Sequence, residues 1–393
     1  MYTEQIIREW FYRLPKGYAQ PPYTQEELDV LQEVLAQYND VTDIAPPANE
    51  IITERTSPIS DIASLLKQLD NNQLELVRAY IVSIGFYNSI MPYLSSKGMI
   101  GSAYQIGDRA VQLIFDRIAN LPDVAEVIEY FKDPPKLKYD PASGVGNIVD
   151  ASGLPERVVS ELMQIQPGAD AGGNATGPAE IALALLFSDV TNKQGGGDLE
   201  YNGRTLEVKG KGARLGTQAR TKTSLDSSFV SYILDKAVSD GTIDEQDYAD
   251  FFADTDHRNI ATALRDTYRL LVTAGYSEQE LIKQFQKGIA AIYFENRKVV
   301  DIYINNQTDF NNVEEIALQL TKINLEAYME KIRVDMILFH NFRPNKPDYS
   351  FILVPKENIN SIVDMGVIRL GSTTKREGSI FWHDSNPGVK LLI

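Results

Sequence analysis

The chain has 393 residues, no cysteine, 43% hydrophobic residues and a formal charge of −16, from 54 acidic and 38 basic side chains. At roughly 150 residues per domain, that length allows two or three domains with a substantial core. The missing thiols exclude a disulfide framework, an iron–sulfur cluster and any thiolate zinc site. His257, His340 and His383 are the only histidines and stand far apart, so an HExxH-type zinc site is excluded too. The opening MYTEQIIREWFYR has no long apolar run of the secretory kind, and runs such as IALALLF fall far below the ~18 residues needed to cross a bilayer. These features predict a soluble, cytoplasmic protein with no membrane partner.

Residues 1–140 read as a helical N-terminal region. TQEELDVLQEVLAQY repeats Leu28, Leu31, Val34 and Leu35 at 3/4 spacing behind a Thr24/Glu27 capping box. Further helical patterns follow up to DVAEVIEYFKD. The Pro- and Gly-dense run 133–146 is the expected linker, and a second part, 147–393, begins after it. LPERVVSELMQI reads as a helix, PGADAGGNATG as a Gly-rich loop, and PAEIALALLFSDV (178–190) as a helix with Pro178 near its first position. GDLEYNGRTLEVKG reads as a hairpin. A helical insertion is expected at about 225–325, and its acidic stretch 226–256 holds nine acids against one lysine, the pattern of a solvated helical face. RVDMILFH, YSFILVP, GVIRLG and the terminal KLLI read as strands. The fold class is therefore α/β, or α+β: a helical region followed by a mixed-sheet domain with a helical insertion.

The hairpin carries the chemistry. Asn202-Gly203 between two alternating runs predicts a type I′ turn, which needs positive φ at both centre positions. A two-residue loop fixes the register, so Glu200 faces Thr205, Leu199 faces Leu206 and Asp198 faces Glu207. Leu199, Leu206 and Val208 then point to the core, and Asp198, Glu200, Thr205, Glu207 and Lys209 to the other face. Two opposed carboxylates repel unless a divalent cation lies between them or one of them keeps a proton. With Lys209 beside them they form a compact site for Mg²⁺- or Mn²⁺-assisted attack on a phosphodiester. A solvated mixture of charges on an exposed face is the plain alternative. The three glycines 195–197 allow close backbone approach just before Asp198. Residues 202–224 hold Arg204, Lys209, Lys211, Arg214, Arg220 and Lys222 against one acid, Glu207, in a chain that is strongly acidic elsewhere. Lys211, Arg214, Arg220 and Lys222 are candidate DNA phosphate contacts, or else a basic surface loop.

GPAE (177–180) opening a helix, then GGGD ending at Asp198, then EVK (207–209) resembles the PD-(D/E)XK nuclease superfamily, the restriction-endonuclease-like fold. The resemblance covers about 35 residues, 177–211, and departs where Gly197, rather than proline, precedes Asp198. It implies Asp198 and Glu207 as metal ligands, Lys209 as the catalytic lysine and Glu180 as a helix-borne acid that assists the metal or its water. The function it implies is a Mg²⁺- or Mn²⁺-dependent endodeoxyribonuclease, with DNA as partner and the helical N-terminal region as a place for protein partners. A structural or assembly protein that retains a nuclease-like fold, such as a phage virion or packaging component, is the alternative; the net charge and the large helical part favour it. Glu200 reads as a rim charge. GKGARLG (210–216) has GxGxxxG spacing rather than that of a dinucleotide fingerprint, and His383-Asp384 reads as structural.

Overall fold

The structure, a computed structural model, describes residues 92–97, 117–118, 121, 124–165, 179–192, 197–210, 215, 229–254, 260–370 and 389–392. In chain order the elements are α1 (Val124–Tyr130), β1 (Val145–Asn147), α2 (Ile148–Ser152), α3 (Glu156–Met163), α4 (Glu180–Leu186), β2 (Val190–Asn192), β3 (Leu199–Tyr201) and β4 (Arg204–Gly210). Then come α5 (Phe229–Ser239), α6 (Glu245–Asp254), α7 (Ile260–Thr273), α8 (Glu278–Ile292), α9 (Arg297–Tyr303) and α10 (Val313–Ile332). The last are β5 (Met336–His340), β6 (Ser350–Pro355), α11 (Ile359–Asp364), β7 (Ile368–Leu370) and β8 (Val389–Leu391). The chain divides into two compact units, Met1–Pro135 with Leu154–Ser188 and Lys136–Gly153 with Asp189–Ile393. No described helix is long and apolar enough to cross a membrane.

The first unit is helical where it is described. Most of the expected helical region 1–140 lies outside the described residues; within it, 92–96 and α1 are helical. The sequence of α4, EIALALL, is buried from Ile181 to Leu186, so it needs cover on every side. Helix α3 packs on it. The carbonyls that its C-terminus leaves open find donors from earlier in the chain. The Tyr93 hydroxyl donates to the Leu185 carbonyl at 2.8 Å, that of Tyr130 to Leu186, and the Lys97 ammonium to Phe187. The helix is shorter than the expected 178–190. It starts after Ala179, which is in left-handed backbone (φ 78°), and ends at Leu186, so Val190 already belongs to β2.

The second unit is built on a mixed six-stranded sheet in the order β1-β6-β5-β4-β3-β2. Strands β2, β3 and β4 form an antiparallel meander, β4 pairs with β5 in parallel, and β5 and β6 are antiparallel, with β1 on the far edge of β6. A parallel pair needs a long crossover, and here the helical insertion supplies it: α5 to α10 all lie between β4 and β5. The insertion runs to Ile332, beyond the expected 325. Its final helix, α10, is firmly started: Asn312 accepts from the backbone N–H groups of Glu314 and Glu315, and both glutamates complement the helix dipole. Along this one helix Ile316, Leu320 and Ile323 join the core of the insertion, while Leu325, Tyr328 and Met329 pack with Ile337 and Phe339 of the sheet. Thus α10 ties the inserted helices to the strand pair that carries the candidate site. Strand β5 is buried along its whole length, as a continuous apolar run at the centre of a sheet should be. The acidic residues Asp244, Glu245, Asp247 and Asp250 are exposed, in keeping with the solvated face expected for that stretch.

Candidate functional site

The hairpin forms as its turn requires. Asn202 and Gly203 both have positive φ, 49° and 76°, and the pairs are Tyr201↔Arg204, Glu200↔Thr205 and Leu199↔Leu206. Leu199, Leu206 and Val208 are buried on one face. On the other, Glu207 stands level with Ile337 and Lys209 with Phe339 of the parallel neighbour β5, the surface on which Tyr328 of α10 packs.

Asp198 lies one residue before the paired strand, and backbone geometry fixes its place. Gly197 has φ 86°, and a Cβ there would stand 3.2 Å from both the Leu206 carbonyl oxygen and Val334 Cγ1. Proline, confined to φ near −65°, cannot take this conformation, whereas glycine takes it without a Cβ penalty. The Asp198 N–H donates to the Leu206 carbonyl at 3.0 Å, and its Oδ2 accepts from the Val208 N–H at 2.8 Å. The carboxyl therefore turns back across the hairpin towards Glu207.

Glu207 is only 8% exposed. Its Oε1 accepts from the Tyr328 hydroxyl at 2.9 Å and forms an ion pair with the Lys209 ammonium, which also lies 6.0 Å from the centre of the Tyr328 ring. Burial, followed by the charge of Glu207, raises the Asp198 pKa from its ordinary 3.8, against the opposing pull of the Val208 N–H and of Lys209; a carboxyl–carboxyl hydrogen bond with Glu207 adds to the rise. Tyr328 is likewise pushed up, by burial and then by Glu207, so its hydroxyl stays a donor.

Asp198, Glu207 and Lys209 are thus brought together within the second unit. Glu180 belongs to the first unit, where it opens α4. Lys211, Arg214, Arg220 and Lys222 lie outside the described residues, as do His383 and Asp384. Arg204, counted in the local positive surplus, is a structural cation: it binds both carboxylate oxygens of Glu357, at 2.6 and 2.8 Å. Glu200 is half-buried between Thr191 and Thr205. His340, at the end of β5, is buried and held neutral, its pKa pushed down to about 4 by burial. Sequence reasoning missed Tyr328, which lies 121 residues beyond its partner in a helix with no local mark of function.

The raised pKa of Asp198 gives a stability that depends on pH. Between 3.8 and the raised value the folded chain holds a proton that the unfolded chain has released. The stabilisation tied to that proton is complete below 3.8 and is lost as pH rises through the raised value. In EDTA, Asp198→Asn should therefore melt higher than wild type at neutral pH, because an amide keeps the acceptor for Val208 and removes the repulsion with Glu207. Melting curves from pH 4 to 8 check this; a variant less stable than wild type at pH 7 would show that the pair is already compensated. The chain matches no protein-family model, no curated protein and no solved structure.

Proposed function

We propose that the chain is a metal-dependent nuclease of the PD-(D/E)XK kind, hydrolysing phosphodiester bonds with DNA as its substrate. The observation that carries this reading is the Asp198/Glu207 pair, two adjacent carboxylates with limited access to water and Lys209 paired to one of them. Such a pair is stable only with positive charge or a proton between its members. Its donors are oxygens, with no thiol or imidazole among them, which suits a hard cation such as Mg²⁺ or Mn²⁺. Among the described residues no group of three or more Asp, Glu or His side chains could hold a metal. Mg²⁺, however, commonly keeps several waters and uses one or two carboxylates, so Asp198 and Glu207 fit as its ligands. A divalent cation bound there supplies stabilisation of charge on phosphate oxygens and acidifies a water that it holds.

The chain's own residues divide the remaining work. Glu207 keeps the Lys209 ammonium beside the pair, where it can face the negative charge that develops on a phosphate oxygen. The Val208 N–H holds Asp198 towards Glu207. Lys211, Arg214, Arg220 and Lys222 as phosphate contacts complete the proposal.

A second reading is a structural or assembly protein, such as a phage virion or packaging component, that keeps this arrangement without using it. The burial of Glu207 behind Tyr328 and the net charge of −16 favour it, since a satisfied buried carboxylate serves a scaffold as well. Incubation of purified protein with supercoiled, linear and single-stranded DNA separates the two. The nuclease reading expects cleavage with Mg²⁺ or Mn²⁺ and none in EDTA. Intact DNA under every metal condition would favour the scaffold.

A further inference from the structure

A carboxylate oxygen has two lone pairs to offer. On Glu207 both directions at Oε1 are taken, one by the Tyr328 hydroxyl at 2.9 Å and the other by the Lys209 ammonium. The carboxyl also shares a hydrogen bond with Asp198, its proposed co-ligand; a cation between the two acids would replace that contact and could reach only Oε2. We infer that Tyr328 is a specificity-determining residue, which selects Mg²⁺ over Ca²⁺ by holding Glu207 to a single ligating oxygen. This rests on the reading of Asp198 and Glu207 as cation ligands.

The physical basis is the different demand of the two ions. Ca²⁺ gathers six to eight oxygens in flexible shells and readily takes both oxygens of one carboxylate, whereas Mg²⁺ requires a tight octahedron. A glutamate whose second oxygen is occupied loses little for Mg²⁺ and much for Ca²⁺. Lys209 alone cannot enforce this, because its stem is flexible and its ammonium can swing away. Tyr328 can. The residue is 7% exposed, and its ring lies near Phe294, with ring centres 6.4 Å apart. It also stands on α10, whose other turns are anchored in the core of the insertion. The residue acts on the ion through Glu207 and so positions a ligand; it takes no part in bond making.

Calorimetric titration of Mg²⁺ and Ca²⁺ into wild type and Tyr328→Phe tests the inference. Phenylalanine keeps the ring under Lys209 and near Phe294, and removes only the donor. The preference for Mg²⁺ should fall by about tenfold, mostly through tighter Ca²⁺ binding, as the loss of a charge-assisted hydrogen bond allows. Placing 4-aminophenylalanine at position 328 returns a donor to the same ring and should restore the preference. An unchanged ratio, a parallel loss of both affinities, or no rescue by the amino group would overturn the role of Tyr328 and leave the cation site standing. Mg²⁺ binding that Asp198→Asn does not abolish would instead overturn the site itself, and the inference with it.

Discussion

Lys209→Ala should lower DNA cleavage by about 10²–10³-fold, the usual cost of one lost charge contact in a transition state, while the protein stays folded. The side chain is half-buried, and its ammonium pairs with Glu207 over the Tyr328 ring. Removing it takes no apolar group from the core, and Glu207 retains the Tyr328 hydroxyl. With Mg²⁺ bound between the acids in place of the lost ammonium, stability should therefore change little in comparison with rate. An ammonium is not a metal ligand, so saturating the reaction with Mg²⁺ should not restore the lost activity. Single-turnover cleavage of supercoiled DNA, with melting curves of both proteins, makes the comparison. If wild type cuts and Lys209→Ala cuts equally fast, the hydrolysis belongs to another site or to a contaminant.

Gly197→Ala should reduce both stability and cleavage, and Gly197→Pro should do so more severely. At φ 86°, an alanine pays about 1–2 kcal/mol for left-handed backbone. Its Cβ also crowds the Leu206 carbonyl and Val334 at 3.2 Å. The hairpin can relieve that contact only by moving the next residue, Asp198, whose N–H is bonded to the same Leu206 carbonyl. A displacement of about 1 Å at a reacting group can cost roughly 10²-fold in rate. Proline cannot adopt the conformation at all. Urea unfolding and cleavage rates of the two variants measure these effects together. Wild-type activity in Gly197→Pro would show that the backbone before Asp198 does not position it.

The hairpin was legible because its signals are local and agree: Asn-Gly demands a tight turn, and alternation on both sides sets which side chains share a face. Strands β5 and β6 were legible for the same reason, being apolar runs of strand length between breakers. The crossover was legible only as a helical block at about 225–325, without its separate helices. Strands β1 and β2 were not legible, because three residues carry no period, and each begins inside a segment read otherwise: Val145 and Gly146 in the expected linker 133–146, and Val190 at the end of the expected helix 178–190. Arg204 looked like part of a phosphate-binding stripe because charge was counted along the chain; its partner Glu357 lies 153 residues away. The same distance effect hid Tyr328. Nothing within a helical window distinguishes a tyrosine that fills a core from one whose hydroxyl reaches a carboxylate. Pairing of β4 with β5 brings the two together, and that pairing is a property of the whole sheet.

What most needs testing is that Asp198 and Glu207 together hold a cation and are not merely a packed pair of acids. Thermal unfolding of wild type and Asp198→Ala, each with EDTA, Mg²⁺ or Mn²⁺, tests this without depending on any substrate. An ion that binds only the folded state adds about 2.7 kcal/mol at a hundred times its dissociation constant. Wild type should therefore melt several degrees higher with either ion, and Asp198→Ala should show no such gain. An equal rise in both proteins, or no rise in wild type, would contradict a cation site at these two carboxylates.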